Sequence, residues 1–360
     1  MAKSKKEKLE QLKKFNGFQE DFLDKKVKLP TLPSRFKGKI AEVDASFGKD
    51  NILKYQNYSV LQHKERRLPI YSAANIHGDA LTEAITRAKV GNYWRLDPRI
   101  KRDHQWALKL YQADKSDFDK GHMTKREDVQ WGKDLEEAKV GAKSTFYYTN
   151  AVPQAAKLNQ RWWRSLESYI IDKIWKEKVE KKGLEGDERL VKRISMFTGP
   201  VLLEEDPVFV TKVDEQEVQI PTIFWKVIYY TSKFGKLYRV AFVMGQEDVL
   251  KDNGIVKDVS SKGGLGEDDF EEETETFFSQ FKKMPASQVP VAMIEELTGL
   301  TFSPGEEPEN MKKKSIDFKA IEKEVQAKGG LGDDDYDDYG DEEEEEAEDT
   351  LELTGIELEF

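Results

Sequence analysis

Three long runs of β-branched and aromatic residues between positions 193 and 244 constrain the fold of this chain more than any other feature. They read RISMFTGPVL, TIFWKVIYYT and LYRVAFVM, and each is bounded by turn-forming residues, the pattern of buried strands. Residues 58–76 contain two further runs around a charged turn, which predicts a β-hairpin. The sequence therefore predicts an α+β fold with a central, mostly antiparallel sheet flanked by helices.

The remaining segments predict helices and domain boundaries. From Pro153 to about residue 182, apolar side chains recur at spacings of three and four, which predicts the longest helix. Residues 144–150 (STFYYTN) predict a strand and residues 80–90 a short helix. The predicted domains are a basic helical extension at 1–40, a main domain at 41–305 with an acidic linker-like insertion at 262–275, a charged connector at 306–328, and an acidic tail at 329–360.

The formal charge of −11 combines two regions of opposite sign. Residues 329–360 contain sixteen Asp and Glu and no Lys or Arg. Removing those sixteen from 69 acidic residues leaves 53 against 58 Lys and Arg, so the rest of the chain carries +5. A basic body suits a phosphate-rich partner, and an acidic tail would compete for the same surface. The equally weighted alternative is that the tail is a disordered, solubilising end.

The tail also repeats an earlier part of the sequence. The string KGGLG at 262–266, followed by acidic residues, recurs at 328–332, and ELTG at 296–299 recurs at 352–355. One interpretation is a local duplication without function. The other is that the tail mimics residues 263–302 and competes for their docking place.

Composition excludes several classes of protein. The chain contains no cysteine, which rules out disulfides, thiol catalysis and cysteine-ligated metal centres. It lacks an apolar run of about 18 residues, so no transmembrane helix is expected. The first fifteen residues are basic but lack the apolar stretch of a secretory signal. We therefore expect a cytoplasmic protein with no membrane partner.

One histidine has neighbours that suit catalysis. His122 stands in the string DKGHM (119–123), where Gly121 allows a close approach of the backbone or a sharp turn. Asp119 lies three residues earlier, near enough to orient the imidazole or to fix the local turn. A neutral histidine can take a proton from water near pH 7. Asn159 and Glu167, eight residues apart on the predicted helix, fall broadly on one face, and their oxygens suit hydrated magnesium.

These strings together resemble a known family. DKGHM followed by TNAVPQAAKLNQRWWRSLE is similar to the DRGH signature of the sugar-non-specific DNA/RNA endonucleases, the ββα-metal or His-Me finger enzymes of the Serratia nuclease and endonuclease G type. FTGPVL and PTIFWKVIYY, with RRLPIYSAANIHG and YWRLDPRI upstream, extend the resemblance over roughly residues 50–302. The resemblance implies the ββα-metal nuclease fold.

The resemblance also implies roles for individual residues. His122 would be the general base that activates water for in-line attack on phosphate, and Asn159 would be the direct Mg²⁺ ligand, with Mn²⁺ as a substitute. Glu167 would bind metal-bound water, Asn150 would position His122 or the backbone of the metal site, and Asp119 would organise the motif. The implied product carries a 5′-phosphate. Because phosphate contacts carry no sequence information, either DNA or RNA would serve as substrate.

Two departures from the family pattern concern phosphate binding. Lys120 stands where the family commonly has arginine, which keeps the charge but loses the bidentate fork. Ile171 stands where some members have an arginine one helical turn after the glutamate. Arg95 is the best candidate for the phosphate clamp, with Arg99 and Arg126 as further candidates.

The leading hypothesis is a Mg²⁺-dependent nuclease of DNA or RNA, restrained by its acidic tail and acting in anti-phage defence or cell suicide. The first alternative is a weak or degenerate nuclease fold that binds nucleic acid or protein. The second is a toxin restrained by a separate immunity protein. An activating or inhibitory protein partner and a homodimer are both left open.

Overall fold

A seven-stranded sheet forms the centre of the molecule. In the computed structural model the described residues are 5–80, 85–155, 166, 193–232, 234–258, 287–309, 319–322 and 351–354. The strand order is β1-β2-β3-β6-β8-β9-β11, and every neighbouring pair is antiparallel. Its strands are β1 (Leu53–Tyr55), β2 (Tyr58–Gln62), β3 (Pro69–His77), β6 (Arg193–Pro200), β8 (Ile223–Thr231), β9 (Leu237–Gly245) and β11 (Ser287–Val289). The predicted α+β class, the hairpin and the three long strands are confirmed.

Three two-stranded ribbons accompany the sheet. They are β4 (Phe118–His122) with β5 (Ala151–Ala155), β7 (Val208–Phe209) with β10 (Val256–Lys257), and β12 (Lys319–Glu322) with β13 (Leu351–Thr354). The described helices are Lys5–Lys13, Arg87–Val90, Leu108–Tyr111, Leu135–Ser144, Glu247–Asp252 and Val291–Thr298. Across the described ranges, none of the helices has the length and apolar character needed to cross a membrane.

The N-terminal segment is helical only at its beginning. After helix Lys5–Lys13 the chain crosses the sheet in extended form, and Gly17 takes a left-handed φ of 68°. The Phe18 backbone N–H donates to Ser59 Oγ at 2.9 Å, and the Gln19 N–H donates to Asn75 Oδ1 at 2.6 Å. Thr31 pairs with Thr301. Hydrogen bonds to the sheet take the place of further helical turns in this segment, which the sequence predicts to be a helical extension at 1–40.

The predicted strand at 144–150 is wrong, because the strand begins later. Helix Leu135–Ser144 ends within that stretch, and Tyr148–Asn150 forms a 3₁₀ turn before β5. Pro153 lies inside β5 rather than at the start of a helix. Proline fits there because β5 has a partner on one side only, so its missing N–H faces the open edge. Leu166 is helical and buried, while the other residues of the predicted helix after 155 lie outside the described ranges.

The acidic tail contains one described element. Strand β13 pairs antiparallel with β12, from Leu351 opposite Glu322 to Thr354 opposite Lys319. The first ELTG string ends helix Val291–Thr298, with Gly299 in the left-handed conformation, whereas the second contributes to β13. The two copies therefore differ in backbone conformation, which does not fit mimicry of one by the other. The rest of the tail lies outside the described residues, and its disorder stays a prediction.

Candidate active site

The β4–β5 ribbon carries His122 at its end. Side chains alternate along a strand, so Lys120 and His122 share one face of β4, while Asp119 and Gly121 face the other way. His122 pairs with Ala151 of β5. The predicted roles of Asp119, to orient the imidazole or to fix the local turn and organise the motif, stay predictions.

Aromatic side chains hold the imidazole of His122. The Trp94 ring centroid lies 4.6 Å from that of His122, and Phe146 approaches edge-on at 5.2 Å with an interplanar angle of 87°. Tyr148 lies behind Trp94 at 5.7 Å. The Trp94 and Phe146 centroids are 5.5 Å apart, so the two rings pack together on one side of the imidazole and restrict its rotation. The sequence does not predict these contacts of Trp94 and Phe146, because nothing in their local sequence links them to His122.

Asn150 fixes the backbone that follows His122. Its Nδ2 donates to the carbonyls of Thr124 at 2.8 Å and Thr145 at 3.1 Å, and its Oδ1 accepts from the Thr124 N–H at 2.9 Å. Its own carbonyl accepts from the Met123 N–H at 2.9 Å. Asn150 is fully buried, so these bonds are shielded from water. The geometry suits the predicted positioning role of Asn150, since it locks the two residues after the imidazole.

Gly121 makes room for a buried side chain on the other face of the ribbon. A Cβ at Gly121 would lie 2.0 Å from Oε1 and 2.3 Å from Cδ of Gln154. Gln154 stands opposite Asp119 in the register and is fully buried. Within the described part of the chain, neither of its amide atoms has a hydrogen-bond partner. The glycine serves close packing rather than a turn.

Gln246 attaches the ribbon to the central sheet. It directly follows β9, and its side chain accepts from the Ala155 N–H at 2.8 Å. Its Nε2 donates to the carbonyls of Pro153 at 3.2 Å and Pro221 at 2.7 Å. The buried amide thereby pairs with the open edge of β5 as a neighbouring strand would. No local pattern in the sequence predicts this contact.

Arg95 is exposed and lies next to this site. Its backbone pairs with Tyr147, its guanidinium lies 4.2 Å from the Tyr147 ring centroid, and Nη2 donates to the Lys143 carbonyl at 2.6 Å. Lys120 lies over the Tyr111 ring at 5.5 Å. Both cations are accessible enough to meet a phosphate, and their predicted roles stay predictions.

The other two arginines make internal contacts. Arg99 is 3% exposed, and its guanidinium makes several hydrogen bonds to fully buried Asp97, including Nη2 to Oδ2 at 2.7 Å. Asp97 also accepts from the Tyr55 hydroxyl, which contacts Thr149 Oγ1. Phosphate binding by Arg99 does not fit this burial. Arg126, largely buried, pairs with Glu127 and donates to the Ile85 carbonyl.

Charge states follow from these surroundings. Burial disfavours ionisation of Asp97, but the Arg99 guanidinium and the hydrogen bonds from Arg99 and Tyr55 outweigh it and lower the pKa of Asp97. Burial raises the pKa of Tyr111 and of Tyr148. The two phenols beside the site are therefore neutral near pH 7 and are unsuited to act as bases.

The predicted metal ligands cannot be placed. Asn159 and Glu167 lie outside the described residues, so their position relative to His122 is untested. Among the residues that the structure describes, no group of three or more His, Asp or Glu is arranged to hold a metal ion. The Asn150 oxygen is already bonded to the Thr124 N–H. The described residues alone do not fit a metal ion.

Comparisons with known proteins identify several relatives of this chain. The chain is 29% identical over 299 residues to the uncharacterized protein y4fB of Sinorhizobium fredii, which covers 80% of this chain and 39% of that protein. It is 27% identical over 135 residues to mitochondrial endonuclease G of Bos taurus (36% of this chain, 38% of the relative) and of Homo sapiens (36% and 39%). The chain thus spans well under half the length of each of these relatives.

A solved structure of the EndoG/EndoGI complex also aligns, at 20% identity and a TM-score of 0.45, over 76% of this chain and 92% of that one. A sequence model of DNA/RNA non-specific endonucleases matches residues 37–309. That range includes the central sheet, the β4–β5 ribbon and His122 with the Asn150 contacts that fix its backbone. This chain belongs to the DNA/RNA non-specific endonuclease family.

Proposed function

We propose that this protein is a sugar-non-specific endonuclease that hydrolyses phosphodiester bonds of DNA or RNA, with His122 as general base. The observation that carries the proposal is the environment of His122. The imidazole packs against Trp94 and Phe146, which also contact each other, and its backbone is locked by the buried side chain of Asn150. A base must be held in one orientation to remove a proton efficiently.

The chain's own residues supply most of the proposed mechanism. His122 accepts a proton from the water that attacks the phosphorus, and Asn150 keeps the histidine in position. Lys120 lies on the same face of β4, two residues away, so its ammonium can attract a phosphate of the substrate. Arg95 offers a second positive charge beside the site. Attack of the water opposite the 3′ oxygen forms the new P–O bond and breaks the bond from phosphorus to that oxygen, which leaves a 5′-phosphate and, after the 3′ oxygen takes a proton from solvent, a 3′-hydroxyl.

Magnesium is proposed as the cofactor. Asn159 would hold it and Glu167 would bind its water molecules, in agreement with the preference of Mg²⁺ for oxygen ligands and retained waters. When bound, the ion supplies positive charge that stabilises the phosphate transition state. Mn²⁺ is expected to substitute.

The acidic tail is proposed to restrain the enzyme. Its sixteen acidic residues oppose a body of charge +5, which suits a polyanion that competes with nucleic acid. The β12–β13 pairing ties the end of the tail to residues 319–322, ten positions beyond the end of the family match at 309. A cytoplasmic nuclease restrained in this way would suit anti-phage defence or cell suicide.

The test is cleavage of plasmid DNA and of RNA by the full-length protein in Mg²⁺. It is compared with a full-length variant that carries glutamine in place of the five glutamates at 342–346. This second chain has less negative charge in the tail but keeps the residues of β13. We expect the second chain to cut faster, His122→Ala in it to lose about 10²–10⁴-fold in rate, and EDTA to abolish cleavage. Unchanged cleavage in His122→Ala would refute the assigned base. Equal rates for the two tails would refute restraint by charge.

A further inference from the structure

A solvent-exposed aromatic side chain adjoins the proposed active site. Tyr93 is 80% exposed, and it directly precedes Trp94, whose ring lies 4.6 Å from that of His122. The chain therefore turns one aromatic ring inward against the histidine and leaves the preceding one in water. Tyr93 takes no part in the proposed mechanism.

The backbone holds the Tyr93 ring in place. Gly91 has a left-handed φ of 76°, and a Cβ at that position would lie 2.8 Å from Tyr93 Cε2 and 2.9 Å from Cδ2. The ring therefore rests against the bare Cα of the glycine. With one side seated on the backbone and most of its area in solvent, the ring offers an open, oriented face. An oriented ring loses less conformational entropy when a ligand stacks on it.

A fixed cation accompanies this ring. Arg95, two residues further on, is exposed, and its guanidinium is held by the Tyr147 ring and the Lys143 carbonyl. An exposed aromatic ring with a cation two positions along the chain suits the way in which proteins bind single-stranded nucleic acid, because bases stack on the ring while cations attract the backbone. Bases of an intact duplex are already stacked and cannot use such a ring.

We propose that Tyr93 forms a base-stacking subsite, in which its ring packs against an unpaired base of the nucleic acid bound at the His122 site. This subsite rests on the proposed nuclease function and adds to it a preference for single-stranded segments over duplex. The phosphate backbone would then run past Arg95 and Lys120 toward His122.

The experiment measures binding without cleavage. In the full-length His122→Ala protein that also carries glutamine at 342–346, we would titrate a single-stranded oligonucleotide that contains 2-aminopurine, and the same strand in duplex form, following fluorescence and anisotropy. The variants are Tyr93→Ala, Tyr93→Phe and Phe234→Ala. Phe234 is a matched control because it is 83% exposed and lies in the β8–β9 turn. Thermal unfolding of each variant confirms equal folding.

We expect Tyr93→Ala to weaken single-strand binding about tenfold and to remove the stacking-dependent quenching of 2-aminopurine. Duplex binding should change by less than about twofold, since a paired base has no free face to offer. Tyr93→Phe should keep both signals, and Phe234→Ala should resemble the parent.

Equal effects of Tyr93→Ala on single strand and duplex, the same effect in Phe234→Ala, or no binding of the single strand would each overturn the subsite. Failure of the proposed function would show differently. It would appear as an absence of cleavage by the folded chain that carries glutamine at 342–346, or as persistent cleavage by the His122→Ala protein.

Discussion

The central sheet and the β4–β5 ribbon are stabilised in different ways. All of β8 except its last residue is buried, and most of its side chains are apolar, with Trp225 and Tyr229 fully enclosed. The ribbon has two short strands and depends on the buried amides of Asn150 and Gln246, each of which makes three side-chain hydrogen bonds to the backbone. The sheet is stabilised mainly by apolar burial, whereas the ribbon, which also packs Phe118 and Val152 into the core, has directional polar contacts that fix its position.

This difference has a functional meaning. Apolar packing tolerates small shifts, because it is non-directional, while hydrogen bonds fix distance and angle. A site that must hold one imidazole in one orientation benefits from the second kind of support. Two substitutions that lower the unfolding free energy by similar amounts should therefore affect activity very differently, depending on whether they lie in the sheet or beside the ribbon.

The largest expected effect is that of Asn150→Ala. The change leaves the Thr124 N–H and the carbonyls of Thr124 and Thr145 without their partner, which should cost about 3–5 kcal/mol of unfolding free energy. It also releases the backbone after His122, so the cleavage rate should fall about 10²-fold or more. Urea unfolding and initial cleavage rates measure the two quantities.

The matched control for Asn150→Ala lies in the sheet. Val243 on β9 is fully buried, and Val243→Ala should cost about 2–3 kcal/mol through lost packing. We expect it to leave the cleavage rate within about twofold at a temperature where both variants are folded, because it touches no site contact. If both variants lose activity in proportion to stability, the distinction between the regions fails.

The same distinction explains which elements the sequence could predict. Strands β3, β6, β8 and β9 are long and rich in β-branched and aromatic residues, so local pattern and tertiary packing agree. Residues 144–150 have a strand-like composition, yet Asn150 bonds to Thr124 and Thr145 and holds Tyr148–Asn150 in a 3₁₀ turn. Contacts between residues 26 positions apart leave no periodic signal in a sequence.

The next largest expected effect is a pH-dependent change of about 2 kcal/mol in unfolding free energy. It comes from the contact between Asp206 and Arg66. Asp206 is fully buried and bonded to the Arg66 Nη2 at 2.6 Å. Burial raises its pKa from 3.8 to about 6, although Arg66 opposes the shift. The folded state therefore binds this proton more tightly than the unfolded state, and the Asp206 contribution to stability falls as pH rises from about 4 to about 6.

Comparison of the wild type with Asp206→Asn isolates that group. The difference in unfolding free energy between the two chains should change by about 2 kcal/mol between about pH 4.5 and pH 7, to the disadvantage of the wild type at the higher pH. Cleavage at pH 7 should be little affected, since this contact lies outside the ribbon. A pH-independent difference would show that Arg66 keeps Asp206 ionised throughout.

The residues at the candidate site also fall into two groups, those that the sequence motif identifies and those that only the tertiary fold brings there. His122 and Asn150 are close in sequence to a recognisable motif, so the resemblance to the family identifies them and the structure brings them together. Nothing in the sequence distinguishes Arg99 from a surface arginine, because its burial depends on contacts with Asp97 and with the carbonyl of Lys54 that form only in the folded chain. Trp94 and Gln246 approach the ribbon only through the tertiary fold. Their local sequence therefore does not predict these contacts.

The smallest expected effect comes from Gly121→Ala, which places a methyl group against the buried Gln154 side chain. Because Gln154 is the flexible partner in this contact, the cost should be about 1–2 kcal/mol. Repacking would still disturb β4 one residue before His122, so cleavage should fall more than stability alone explains. A polar support such as Asn150 would be unaffected by the clash, which makes this substitution a test of packing within the ribbon.

The double variant Gly121→Ala with Gln154→Ala shows whether the losses in Gly121→Ala come from the clash with the Gln154 side chain or from the backbone at position 121. Removing the Gln154 side chain opens the space that the new methyl group needs, so the double variant should recover most of the stability and cleavage lost by Gly121→Ala. Gln154→Ala alone is the control, and it forfeits packing but no hydrogen bond to the described residues. Additive losses in the double variant would mean that Gly121 is required for the backbone itself. In that case the ribbon, unlike the sheet, would depend on its main chain more than on the side chains around it.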